Sequence, residues 1–254
     1  MTTYQAEQWQ QALSSYRYPI DRASELLFRV RFRLAERWFN FDLERGDRDD
    51  TMRFEARFRE FAPRSIEAWY EVIFWKLASS GKLGEYLAGR LVENLREIGY
   101  RAPDIWNACS DFVESGGQHE FKMLQELLFL TSGGIPVASA FPAFMCPERF
   151  PLCDRWIAKW VCRYFAENPA EAEARGLLLP SEAFLRHKKA TLALPGDWKF
   201  YSQWTRWCRT VAEVLSESTG FKWRARDVEM AVFMNARNGS DLLALLDGGL
   251  PRLH

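Results

Sequence analysis

Apolar residues in this chain recur at intervals of three and four, segment after segment, and that period constrains the fold more than any other feature. It runs through IEAWYEVIFWKLASS, LGEYLAGRLVENLREIG and HEFKMLQELLFL, then through RWIAKWVCRYFAEN, FYSQWTRWCRTVAEVLSEST and RARDVEMAVFMNAR. A stripe at that spacing lies along one face of a helix and has to be buried against other helices. Breaks with Gly or Pro at RAPD, ESGGQ, TSGGIP and ALPGDW end the segments, and none has the length of a flexible linker. The early stretch ELLFRVRFRLAERWFNFDLER alternates in part like a strand, yet its length and its Arg and Glu content favour a helix. No repeat of roughly 20 to 50 residues marks a solenoid. The expectation is an all-α fold, one globular unit over 1–254 in which any sheet is confined to the N-terminal sixty residues.

An apolar share of 48% with 15% aromatics fills a substantial core at 254 residues, so the chain is globular rather than disordered. Lys plus Arg and Asp plus Glu both count 34, which gives no overall sign of a polyanion partner but leaves room for a local basic face. The longest apolar runs fall short of the roughly 20 residues that span a bilayer, and the first residues lack the basic-then-apolar order of a secretory signal. A soluble cytoplasmic protein with no membrane partner is expected. Five cysteines stand apart in apolar surroundings, which reads as reduced core thiols, and the three histidines share no ligand spacing, so no metal site and no cofactor are expected.

The stretch FPLCDRWIAKWV, from Phe150 to Val161, sets an aspartate between an apolar approach and a helical run. Asp is a favoured N-cap, because its side chain accepts from the free N–H groups of the first turn and complements the helix dipole. Asp154 therefore reads as a plain cap when taken alone. What precedes it adds a second reading.

Upstream the chain reads HEFKMLQELLFLTSGGIPVASAFPAFMCPERFPLCD, which is an amphipathic helix to about Leu130, a tight Gly-containing turn and a second helix of small and apolar residues. Glycines let a phosphate approach closely, and the free N–H groups of a helix N-terminus hold an anion. In its order of pieces this segment resembles the helix-hairpin-helix DNA glycosylase superfamily, with GGIPVASA (Gly133 to Ala140) standing for the hairpin and RFPLCD for the approach to the essential aspartate. The likeness covers Phe121 to Val161 well, so the segment 121–161 holds both hairpin and aspartate.

The resemblance implies a two-lobed helical bundle with a cleft at Asp154, acting on double-stranded DNA with a flipped modified base and leaving open a cation at the hairpin. Asp154 would stabilise the sugar cation and orient a water, a role compatible with capping. Gly133, Gly134, Ile135 and Val137 would face a phosphate through their backbone. Pro136 stands where the family has its second hairpin glycine and removes one donor. No lysine occurs between Lys122 and Lys159, which points away from a lyase and towards simple hydrolysis. The scattered cysteines offer no four-cysteine array for the family's iron–sulfur cluster. Two alternatives stay open: a repurposed enzyme of thymine hypermodification in phage DNA, and a catalytically silent DNA- or protein-binding module.

Further candidates follow by position. Glu229 and Phe233, four apart, match the spacing at which 8-oxoguanine glycosylases read and stack a flipped base; the alternative is an ordinary core helix. Trp204 and Trp207 would line a base pocket or simply fill the core. Ser79, Ser80, Gly81 and Lys82 occupy the place of a loop that fills the gap left by the flipped base, with Ser80 and Lys82 as its DNA contacts. Arg155, Lys159, Arg163, His187, Lys188 and Lys189 are phosphate candidates or a solvated charged face.

Overall fold

The structure is a computed structural model that describes residues 3–18, 32–34, 37–39, 46–78, 88–93, 96–97, 99, 101–117, 134–167, 169–174, 179 and 195–238. These residues are predominantly helical, as the period required. The chain divides into two compact units: an inserted unit, Arg17–Met145, and a terminal unit that joins Met1–Tyr16 to Cys146–His254. None of the described helices is long and apolar enough to cross a membrane.

The inserted unit contains two short antiparallel strands, β1 (Phe32–Leu34) and β2 (Arg37–Phe39), paired in the register Phe32↔Phe39 and Leu34↔Arg37. They correct the helical reading of ELLFRVRFRLAERWFNFDLER at these positions. Alternation and aromatic content decided the local structure there, and the helix propensity of Arg and Glu is a weak prior that pairing overrides.

Among the described residues that follow are the helices α2 (Arg48–Phe61), α3 (Ile66–Ala78) and α4 (Ala102–Glu114). Asp47 caps α2 by accepting from the Asp50 amide at 2.9 Å. Gly46, just before it, has φ +65°, and a β-carbon there would lie 2.7 Å from the Tyr18 carbonyl oxygen, so both the conformation and the space require glycine.

The core of this unit gathers on α6 (Ala140–Met145), which packs against α2, α3, α4 and the short α5 (Gly134–Ala138). Phe144 meets Phe54, Phe58 and Trp75 with ring centroids 4.9–5.8 Å apart, and Phe141 meets Trp69 at 5.0 Å. The second hairpin helix, read from VASAFPAFM, starts at Gly134 and is interrupted at Ser139. Pro142 explains the break: it has no N–H for the carbonyl of Ala138, four residues back, and its ring crowds that carbonyl.

In the terminal unit, α10 (Ala225–Asn238) packs against α1 (Thr3–Ser14), α7 (Arg155–Glu167) and α9 (Pro195–Thr219), while α8 (Pro169–Ala174) follows α7. Residues 223–235 of this segment are buried, charges included. Trp223 meets Trp9 of α1 edge-on at 6.4 Å, and Phe233 meets Tyr16 at 6.2 Å. Gly220 closes α9 at φ +67°, donating to Ser216.

Candidate functional site

The approach to Asp154 is fixed from outside itself. Phe150, Pro151, Leu152 and Cys153 are buried but form no regular structure, so their backbone groups need partners. Helix α9 supplies two: Tyr201 donates its hydroxyl to the Pro151 carbonyl at 3.1 Å, and Trp204 donates its indole N–H to the Leu152 carbonyl at 2.8 Å. The turn before them is tied to α10, whose first amides are satisfied by this turn: Ala225 donates to the Glu148 carbonyl and Arg226 to that of Pro147. Two helices thus hold the strip that delivers Asp154.

Asp154 is the N-cap of α7. Its Oδ1 accepts from the amides of Trp156 (2.9 Å) and Ile157 (3.1 Å), and its carbonyl accepts from Ala158 at 2.9 Å. The capping read from the sequence is therefore present, and the residue is only partly buried. Beyond it, α7 turns Ile157, Ala158, Trp160, Val161 and Tyr164 inward and leaves Trp156 and Lys159 exposed. The Lys159 ammonium lies 5.1 Å from the Trp156 ring centroid and the Arg155 guanidinium 6.0 Å. Arg163, one turn further, pairs with Glu167 at 2.8 Å. Asp154, Arg155 and Lys159 are thus brought together on one helix.

The remaining candidates lie elsewhere. Ile135 and Val137 are buried in the inserted unit, so only their backbone is left for a ligand. Pro136 is the third residue of α5, where its missing N–H is one that helix geometry leaves unpaired in any case. Gly133, Ser79, Ser80, Gly81, Lys82, His187, Lys188 and Lys189 lie outside the described residues.

Trp204 and Trp207 are fully buried and stacked, centroids 5.2 Å apart, against Trp160. Glu229 and Phe233 are buried as well: the Glu229 carboxylate pairs with Arg226, whose guanidinium also donates to the Tyr16 hydroxyl. A second internal pair, Arg224 with Asp227 at 2.8 Å, sits on the same turn of α10. In this structure all four residues have packing roles, and the polar atoms of Glu229 are directed at Arg226. What the sequence did not disclose is Tyr201 and Trp204 as holders of the aspartate strip. A Tyr and a Trp three apart on a helix carry the signal only once their carbonyl partners are known.

All five cysteines are free thiols; Cys109, Cys153 and Cys208 are buried. Burial pushes the Cys208 thiol well above its usual range, and neighbouring Cys153 adds to it, so Cys208 does not behave as an activated nucleophile.

Comparison with protein families, with curated proteins and with solved structures finds no match to this chain.

Proposed function

We propose that this protein is a monofunctional DNA N-glycosylase that hydrolyses the bond between a modified or damaged base and its sugar, within a two-lobed bundle of the helix-hairpin-helix glycosylase type. The observation that carries the reading is the half-buried Asp154 carboxylate at the start of α7, clamped by two amides and delivered by a strip that α9 holds. Breaking an N-glycosidic bond builds positive charge on the sugar, and a fixed carboxylate stabilises it without reorganising. Two further features support the reading. A short helix opening at Gly134 precedes the aspartate by twenty residues, the order of the resembling family. Cations at Arg155 and Lys159, which make no ion pair among the described residues, adjoin the aspartate, as a DNA-facing rim requires. The silent-module alternative asks for an aspartate sealed beneath the tryptophans, and Asp154 is partly exposed.

The test is a set of duplex oligonucleotides, each with one altered base, incubated with the protein and treated with alkali. Wild type is expected to leave an intact abasic strand that breaks only after alkali. Asp154→Asn is expected to bind the same DNA while releasing base at least about a hundredfold more slowly. Borohydride should trap no covalent adduct, since no hairpin lysine offers an amine. Equal base release by both proteins on an accepted substrate would remove Asp154 from the mechanism. A strong trapped adduct would replace hydrolysis by lyase chemistry.

A further inference from the structure

Trp156 is the feature of α7 that capping and core packing leave unexplained. The inward face of the helix is complete without it: Ile157, Trp160, Val161 and Tyr164 are each at most 3% exposed, whereas Trp156 is 36% exposed. A lone surface aromatic is ordinary, so the weight falls on what frames it. Here the frame is cationic. Arg155 and Lys159, at i and i+4 on the helix, stand 6.0 and 5.1 Å from the indole, and neither makes an ion pair among the described residues. The neighbouring carboxylate, Asp154, is engaged in the cap, and Glu167 is taken by Arg163.

We infer that Arg155, Trp156 and Lys159 form a contact for a nucleic-acid strand with an unpaired base, the indole stacking on the base and the cations meeting the flanking phosphates. The inference rests on the glycosylase reading only for its setting, since base flipping is what presents an unpaired strand beside Asp154. Each part of the patch selects its occupant. Cations alone suit any polyanion, but an aromatic face adds affinity only where a base is unstacked and free to meet it. A fully paired duplex offers phosphates without base faces, and an acidic peptide offers charge without a flat ring. A membrane surface would use Trp and Lys together but needs a broad exposed apolar face, and on α7 that face is buried.

The test uses the full chain and fluorescence anisotropy with a labelled oligothymidine, single-stranded and paired with its complement, at several salt concentrations. Trp156→Ala is expected to weaken single-strand binding roughly five- to a hundredfold with little change for the duplex, and Trp156→Phe to restore most of it. Arg155→Ala and Lys159→Ala should weaken both forms and each lower the salt slope by about one. Thermal denaturation should change little in Lys159→Ala, whose side chain is exposed, and any melting shift in the Arg155 and Trp156 variants is read alongside the binding data so that loss of fold and loss of contact are told apart. Single-strand affinity that is the same in wild type and Trp156→Ala overturns the inference, as does loss of anionic-vesicle binding in that variant with oligonucleotide binding intact. Trp156-dependent binding with no base released from any substrate overturns the glycosylase reading and leaves the patch. Base release with Trp156-independent binding does the reverse.

Discussion

Asp154 and Glu229 show how one functional group, the carboxylate, plays opposite roles according to its neighbours. The Asp154 carboxylate meets two backbone amides and partial solvent, so substituting it separates two functions. Asp154→Ala should lower stability by about 1 kcal/mol through loss of the cap, whereas Asp154→Asn should keep the cap, as thermal denaturation of both variants will show. Glu229 faces a buried guanidinium instead. Taking one partner from a buried pair strands the other charge, so Glu229→Ala should destabilise the terminal unit by about 3–5 kcal/mol, whereas removing a base-reading side chain would leave the melting temperature unmoved. Those two outcomes separate a core role from a pocket role. Gly46 is a third such position. Alanine there meets the Tyr18 carbonyl and must hold a positive φ, so a loss of about 1–3 kcal/mol is expected in denaturant titration.

At the level of elements, α2 and α3 are joined by Arg57 and Glu71, 2.6 Å apart. Burial pushes the Glu71 carboxyl up, and the Arg57 guanidinium pulls it back only in part. A carboxyl raised on folding adds stability that is full below the ordinary glutamate range and lost as pH rises through the raised folded value. From about pH 4 upward, wild type should therefore lose stability relative to Glu71→Gln. Parallel stability profiles for the two proteins would remove Glu71 from that pH dependence.

The helices α3, α7, α9 and α10 were legible in the sequence because each carries a long apolar stripe, and Asp154 was legible as a cap because it sits where that stripe begins. The β1–β2 pair was not, since Phe-Arg-Leu and Arg-Trp-Phe are too short to outweigh a helix-like composition around them. Nor were the buried charges of α10 legible. A stripe shows which residues share a face, but Arg226 and Glu229 enter the core because each finds the other and Arg226 also finds Tyr16. Likewise, nothing in the spacing of Tyr201 and Trp204 foretold that they would bond to a strip fifty residues earlier.

The whole molecule places its first helix and its last described helix in one unit, with the inserted unit's residues between them in sequence. Trp9 of α1 meets Trp223 and Tyr16, just after α1, meets Phe233 of α10, so a chain lacking residues 1–16 should lose cooperative melting of the terminal unit while α2–α6 keep their helical signal in circular dichroism. A truncated chain that melts like the full one would show that α1 is dispensable. The same arrangement sets an order of events during synthesis. The link between Tyr16 and Arg226 spans 210 positions. At ribosomal speeds of about 5–20 residues per second, α1 is made roughly 10 to 40 seconds before its partner exists. For that interval the residues that later meet Trp223, Arg226 and Phe233 have no native cover.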